Sequence, residues 1–366
     1  MFRRLAIIGT GFMGASVGLA AKREGVEVVV GFDEDRAAAA AAAERGAIDA
    51  VADSLPEAVD AADLAVVAVP VARLATEVMA VLATSGDACT VTDLGSTKAA
   101  VCAAAGESHR FIGGHPVCGS EARGPAHARG EVFEAATWYL SPLARTEPAR
   151  FQLVHRFVSR LGATPVAVDP LAHDRIVALS SHLPHVLANV LVNQAGATRI
   201  DGHEPLAAAA GSLRDMTRVA GANPRIWVDI FLDNAEPLVA ALAEHRRRTE
   251  QVERALIACD AGFLARWIGD ASGNRRRMLE GAYPDPGALH RLRIHVPDRP
   301  GILAGITQAL GAERINIEDF DLHHFSPERG GVLTVLVGGE HEAERAADLL
   351  EGQGYGVVVS AVLDPS

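Results

Sequence analysis

At 366 residues, 49% of them hydrophobic and 22% charged, the chain is long enough for two or three domains with substantial cores. A formal net charge of −12 argues against non-specific binding to nucleic acid or an anionic membrane, so an anionic substrate has to be held by local arginines against the overall field. The four cysteines, Cys89, Cys102, Cys118 and Cys259, have no metal-ligand spacing, which indicates no metal site and suggests reduced, mostly buried thiols in a cytoplasmic protein.

Met1-Phe2-Arg3-Arg4 ahead of apolar residues resembles the start of a signal peptide, but a glycine fingerprint lies inside the supposed apolar region. No later apolar run reaches the length of a membrane span, so neither membrane nor nucleic acid is expected as a partner. Arg3 to Gly9 is a short β-type run that ends in Gly9-Thr10-Gly11-Phe12-Met13-Gly14. A helical stretch, Ala15 to Glu24, and a second apolar run, Val26 to Phe32, lead to Asp33. Strand, glycine turn, helix, strand and acid in that order form a dinucleotide-binding turn. Gly9 permits the turn, Gly11 admits a pyrophosphate, and Gly14 lets helix and strand pack closely. The helix N-terminus faces the phosphates. Asp33 accepts from ribose hydroxyls and favours NAD over NADP, a preference that nearby Arg36 softens. Phe12, Met13, Val69 and Pro70 complete the expected cofactor contacts.

Alternation continues with a helix from Arg36 to Arg45 that holds seven consecutive alanines, a strand from Leu64 to Val69, and a helix from Arg73 to Leu82. Strand Cys89 to Leu94 follows, then Gly95-Ser96-Thr97-Lys98 opening a helix, and strand Phe111 to Gly113. Strand Thr137 to Leu140, helix Glu147 to Leu161 and strand Thr164 to Val168 finish the region. The pattern is α/β, a Rossmann-type doubly wound and mostly parallel sheet over residues 1–168, with ligands at the carboxyl ends of the strands. Residues 169–282 read as an all-helical substrate and dimerisation domain, with helices over 173–198, 204–219 and 224–268. Tyr283 to Gly287 is a linker by composition. Residues 283–366 read as a β-α-β-β-α-β, ferredoxin-like module: strand 292–296, helix 302–310, strand 315–324, turn 327–331, strand 332–337, helix 342–350 and strand 356–363.

Three clusters carry candidate chemistry. His115 stands at a predicted strand end among Gly113, Gly114 and Gly119, where a neutral imidazole can accept an alcohol proton. His182 and His185 in Ser181-His182-Leu183-Pro184-His185 form a pocket wall or a helix-start turn; without a third ligand they do not make a metal site. Arg214 and Arg218 fall at i and i+4, where two forks on one helix face suit a small dicarboxylate, although an internal pair with Asp215 is an equal alternative.

Together, GTGFMG with Asp33, DLGSTK, GGHPVCGSE, HDR with SHLPH, and SLRDMTR with NPRIWVDIFLDN resemble the prephenate dehydrogenase family of tyrosine biosynthesis over residues 1 to about 280. VPDRPGILAGIT and RINIEDF are similar to an ACT domain. The resemblance implies NAD-dependent oxidation of the ring hydroxyl of prephenate, loss of carbon dioxide, and release of 4-hydroxyphenylpyruvate; the apolar helical domain separately points to a homodimer, a self-contained bundle being the alternative. It implies that His115 accepts the hydroxyl proton and that Ser96 bonds the hydroxyl and His115, Ser96 being otherwise a helix cap. Arg218 then grips a carboxylate with help from Arg214, and His182 and His185 line the pyruvyl side. Glu121 gates the pocket or pairs with an arginine, beside Ser120. In the ACT-like module Asp298, Gly301, Ile302 and Asn316 form the effector site, tyrosine being the expected ligand and a purely structural or dimerising role the alternative. The family has a small residue where Cys118 stands and often glycine at Ala15. The choice between prephenate and arogenate is not legible in these motifs.

Two other readings compete. A β-hydroxyacid or imine dehydrogenase would carry a lysine on the helical domain, but Pro170 to Ile268 contains none. A non-catalytic sensor of NAD and amino acid would have no use for His115, Ser96 and Arg218 together.

Overall fold

The computed structural model describes residues 2–118, 123–209, 211–280, 288–326 and 330–362. It divides into two compact units, Met1–Arg247 and Arg248–Ser366, each taken by itself below. The division falls inside the helix Ala235–Ile257. The expected linker at 283–287 lies outside the described residues, as do Gly119, Ser120, Glu121 and residues 327–329 of the expected turn.

In the first unit, strands β1 (Arg4–Ile8), β2 (Val28–Phe32), β3 (Ala50–Val51), β4 (Leu64–Val67), β5 (Thr90–Asp93), β6 (Phe111–Pro116), β7 (Thr137–Pro142) and β8 (Thr164–Ala167) make one sheet. Their order is β3-β2-β1-β4-β5-β6-β7-β8, and every neighbouring pair is parallel except β6 with β7. The run Leu64 to Val67 is wholly buried because helices cover both faces, as a continuous apolar strand requires. Leu5 and Ile7 enter one core with Val17 and Val29, while Ala6 and Ile8 enter the other with Leu74 and Val78, so strand alternation sorts β1 between two layers. The glycine turn takes its expected form. Gly9 sits at φ +92°, and a Cβ on Gly14 would lie 1.9 Å from the Gly9 carbonyl oxygen. β6 runs past its expected end at Gly113 because the antiparallel β7 pairs Ile112 through Pro116, beyond the reach of β5. His115 therefore lies within a strand, opposite Tyr139.

The helical segment differs in detail from its sequence pattern. Pro170–Val177, a π turn Ala178–His182 and Leu183–Ala197 run on as one helix. That helix is long and apolar enough, by length and composition, to cross a membrane, contrary to expectation; only 28% of its most apolar window is buried. The expected helix over 204–219 is broken into a 3-10 turn Pro205–Ala208, the helix Gly211–Thr217 and a second 3-10 turn Arg218–Gly221. Arg214 and Arg218 are consequently not two positions of one α-helix. The expected helix over 224–268 breaks after Pro224–Asp233, where Asn234 turns inward, and again at Cys259, whose φ is +49°. Asn223 caps the first of these pieces by accepting from the Arg225 N–H at 3.2 Å. Cys89 and Cys102 are buried, but Cys118 is half-buried and Cys259 exposed.

The second unit includes the helix Ala261–Glu280 and then β9 (Leu289–Val296), helix Ile302–Ala312, β10 (Asp319–Ser326), β11 (Gly330–Gly338), helix Glu340–Gly352 and β12 (Gly356–Ala361). The four strands are antiparallel in the order β10-β11-β9-β12. Both helices of the module pack on one face over Leu292, Ile294, Leu333 and Val335. Gly301 precedes its helix at φ +84°, a conformation open to glycine. Ile302 packs into this core, so its side chain serves the fold. β10 starts at Asp319, four residues later than expected, because Ile315 is drawn into the core and Asn316 bonds Glu318 at 2.8 Å in the connecting loop. Asp298 lies in the loop before Gly301.

Gly14→Ala forces a methyl group into backbone and should cost roughly 1–3 kcal/mol. Gly11→Ala meets nothing within 4 Å and should leave the melting temperature unchanged. Thermal denaturation of both variants checks the contrast; equal losses would show that the turn's packing is misread.

Candidate active site

A cavity of about 600 Å³ opens on the carboxyl-end rim of the large sheet. At one end lie Gly9, Gly11, Phe12, Met13 and Asp33; Val69 and Pro70 form a wall; Ser96 and His115 lie at the other end. The cavity fits a dinucleotide by its own chemistry. Nothing would meet a Cβ on Gly11, so the backbone there faces open space. Asp33 is oriented by its neighbours: Oδ2 accepts from Thr10 N at 2.7 Å and Oδ1 from Asp35 N at 3.0 Å, and the carboxylate still lines the cavity. Gly14 packs behind the turn, outside the lining. Arg36 also stands outside it, with its guanidinium on Asp53 Oδ1 at 2.8 Å and on the Ala52 and Asp53 carbonyls.

At the far end a hydrogen-bonded line joins sheet and helices. Asp174, on Pro170–Val177, lies 2.7 Å from His173 Nδ1, and His173 Nε2 lies 2.8 Å from His115 Nδ1. A carboxylate can only accept, so His173 Nδ1 donates, and in the neutral ring its Nε2 is then the acceptor. His115 Nδ1–H must then donate to His173, which leaves the lone pair on His115 Nε2. Burial, the largest cause, together with His173, Lys98 and His182, holds the His115 imidazole well below its ordinary value, so the ring is neutral near neutral pH. Tyr139 packs edge-on against His173, with ring centroids 5.3 Å apart.

Beneath His115 a fully buried ion pair joins Asp93 and Lys98. Asp93 also accepts from Gly95 N at 2.8 Å and Gly114 N at 3.0 Å, tying the Ser96 loop to β6. Gly113 and Gly114 make room for this contact. A Cβ on Gly113 would meet Lys98 Cδ at 3.1 Å, and one on Gly114 would meet the Asp93 carbonyl oxygen at 2.4 Å. Ser96 does not cap the next helix. The N–H groups of Lys98 and Ala99 are taken by the two oxygens of Asp174, at 2.7 and 2.8 Å, across a gap of more than seventy residues. Desolvation would raise the Asp174 carboxyl, but the bonds from His173, Ala99 and Lys98 outweigh it and hold it below its usual range.

Three family models cover this architecture: "Prephenate dehydrogenase, nucleotide-binding domain" over residues 17–167, "Prephenate dehydrogenase, dimerization domain" over 169–270 and "ACT domain" over 290–354. Prephenate dehydrogenase of Bacillus subtilis is 31% identical over 361 residues, spanning 95% of this chain and 96% of its own. The chain belongs to the prephenate dehydrogenase family. Cyclohexadienyl dehydrogenase of Zymomonas mobilis is 30% identical over 72% of this chain and 92% of its own. Among solved structures, prephenate dehydrogenase from A. aeolicus in complex with hydroxyphenyl propionate and NAD+ superposes with a TM-score of 0.70 at 25% identity, covering 76% of this chain and 99% of that one. Synechocystis arogenate dehydrogenase gives 0.69 at 25% identity, over 75% and 99%.

In this prephenate dehydrogenase family member, the residues singled out in the sequence fall into two groups. His115 and Ser96 share the cavity with the cofactor turn, whereas Arg214, Arg218, His182 and His185 do not line it. Both arginines are exposed. Arg218 lies close enough to help lower the His185 imidazole, after burial as the main cause, and His185 stacks on Trp227 with centroids 3.5 Å apart. His182 is buried in a network, where Asn234 Nδ2 donates to its Nδ1 at 3.0 Å and to the Asp174 carbonyl at 2.8 Å. Cys118 lines the cavity as a thiol pushed up to about 11 by burial, and so is not a nucleophile. Sequence reading missed His173 and Asp174 as a functional pair, and also Arg123 and Arg225, whose side chains line the cavity. The adjacent His-Asp was the available signal for the first pair, but its partner lies 58 positions away at His115. Nothing local marks the two arginines.

His182 yields a prediction of stability against pH. Burial, chiefly, drives its imidazole down to about 4 from an ordinary 6.5, although Asp174 acts to raise it. The folded chain refuses a proton that the unfolded chain accepts between those values, so stability is full above pH 6.5 and declines as pH falls toward 4. Differential calorimetry of the wild type and His182→Gln across this window should show a flatter decline in the variant; parallel curves would rule out His182 as the source.

Proposed function

We propose that this protein is an NAD-dependent prephenate dehydrogenase, oxidising the ring hydroxyl of prephenate with loss of carbon dioxide to give 4-hydroxyphenylpyruvate. The observation that carries this reading is the placement of a neutral His115, with its Nε2 lone pair available, in the same cavity as the dinucleotide turn and Asp33. NAD, when bound, supplies the hydride acceptor. Gly9, Gly11, Phe12, Met13, Val69 and Pro70 would hold it, with Asp33 on the ribose. Ser96 orients the substrate hydroxyl, and His115 Nε2 takes its proton as the carbon is oxidised. The positive charge gained is shared through Nδ1 with His173 and stabilised by Asp174, so the line serves orientation and charge together. Aromatisation of the ring drives decarboxylation, so the protein has mainly to align the partners and accept one proton.

Although none of the three lines the cavity, Arg218 would bind a substrate carboxylate, with Arg214 assisting and with His185, stacked on Trp227, supporting that side. His182 would support it from the buried network. Glu121 would gate the pocket or pair with an arginine, beside Ser120; both lie outside the described residues. The module over 288–362 would take tyrosine as effector at the turn of Asp298 and Gly301, with the Ile302 backbone and Asn316 nearby. Exposed Leu171, Ile176, Leu179 and Val190 support a homodimer through the helical segment, since large apolar side chains on one helix favour cover.

Reduced-nicotinamide absorbance with NAD and prephenate, then arogenate, tests the reading; silence with both substrates overturns it. His115→Asn should lower kcat by roughly a hundred-fold or more with little change in KM. Arg218→Ala should mainly raise KM. The acid limb of kcat/KM should lie below pH 6.5, because His115 must be protonated before activity is lost. Asp174→Asn replaces an acceptor of three N–H groups by a side chain that also donates, and should lower kcat on the order of a hundred-fold. Undiminished kcat in that variant would remove the histidine line from the mechanism.

A further inference from the structure

At the Asp33 end of the cavity stands a guanidinium already held by two carboxylates. Arg73 lies in the first turn of the helix Val71–Thr84, just after Pro70, and lines the cavity with Asp33, Glu34 and Glu77. Its Nη1 donates to Glu34 Oε2 at 2.5 Å and its Nη2 to Glu34 Oε1 at 2.5 Å, a fork-to-fork pair, while Nη2 also reaches Glu77 Oε1 at 2.6 Å. The pair keeps the Glu34 carboxyl below its ordinary range. The next guanidinium along this rim, Arg36, is bound to Asp53 outside the cavity.

We propose that Glu34 and Glu77, by occupying Arg73, set the selectivity of this site for a dinucleotide whose adenosine ribose carries a free 2′-hydroxyl. The inference rests on the NAD-dependent reading above and adds to it residues beyond Asp33. A planar guanidinium is the natural partner of a phosphate dianion, through two parallel N–H bonds. Here that fork is filled by Glu34. A 2′-phosphate would have to displace a carboxylate and then sit among Asp33, Glu34 and Glu77, three acids against one cation. A 2′-hydroxyl makes no such demand and can donate to an acid. Glu34 is 65% exposed at its side chain, so the pair adds little to stability and Glu34→Gln should fold normally.

The test measures Kd for NAD+ and for NADP+ by calorimetry on the full chain, alongside kcat/KM with each. Wild type should favour NAD+. Glu34→Gln should shift the affinity ratio toward NADP+ by roughly ten-fold or more, the scale of one charge-assisted bond. Adding Glu77→Gln should extend the shift. Adding Arg73→Ala to Glu34→Gln should return the ratio to near the wild-type value, and raised salt should shrink the gain. The proposal fails if Glu34→Gln leaves the ratio within two-fold, or if the gain survives loss of Arg73, which would assign it to net charge alone. A wild type that binds both dinucleotides equally overturns this inference and leaves the oxidation intact; one that binds neither removes both.

Discussion

One carboxylate links the sheet to the helices that complete its site. Asp174 is buried between them and accepts from Lys98 N, Ala99 N and His173 Nδ1. Two of these bonds finish the start of the helix Ala99–Ala105, which has no side-chain cap of its own, and so place the loop bearing Ser96. The third fixes the tautomer of His173 and, through it, that of His115. The backbone of the same residue is held by Asn234, whose inward turn breaks the neighbouring helix. A carboxylate suits this position because it only accepts, and every group around it donates. Its burial would be costly without those three bonds.

The Asp93–Lys98 pair plays the complementary part inside the sheet. Buried ion pairs contribute little net stability, but removing one partner costs about 3–5 kcal/mol because the other charge is left without cover. Here the pair joins the end of β5, the Ser96 loop and β6 through bonds to Gly95 and Gly114. The glycines at 113 and 114 let the strand pass this close. Lys98 also disfavours a second positive charge on His115, so one contact supports both the position of the imidazole and its neutral state.

The two ends of the cavity thus use charge differently. Near His115 the charges are buried, paired and coupled through short bonds, where the dielectric is low and geometry decides protonation. Near Asp33 they are half-exposed and screened, and act by which partner is already taken. The exposed apolar residues Leu171, Ile176, Leu179 and Val190 of the helical segment line neither end.

What could be read from the amino acids alone was whatever rests on short range. The turn from Gly9 to Gly14, the acid after β2, the buried run of β4 and the β-α-β-β-α-β module all follow from local periodicity and from the backbone needs of glycine. His115 and Ser96 were singled out from expected strand ends, and both line the cavity, although β6 runs on past His115 to Pro116. The rest depended on tertiary contacts. A helix drawn over 204–219 from its apolar spacing breaks at Thr217, so Arg214 and Arg218 lose their shared face. Arg36, near Asp33 in sequence, is drawn to Asp53. His173, Asp174, Arg123 and Arg225 reach their places through folding across scores of residues, and the adjacent His-Asp pair gives no local sign of the partners Asp174 takes at Lys98 and Ala99. Periodicity reports which side of an element is apolar, but a hydrogen bond between residues 58 or 76 positions apart exists only once the chain has closed around it.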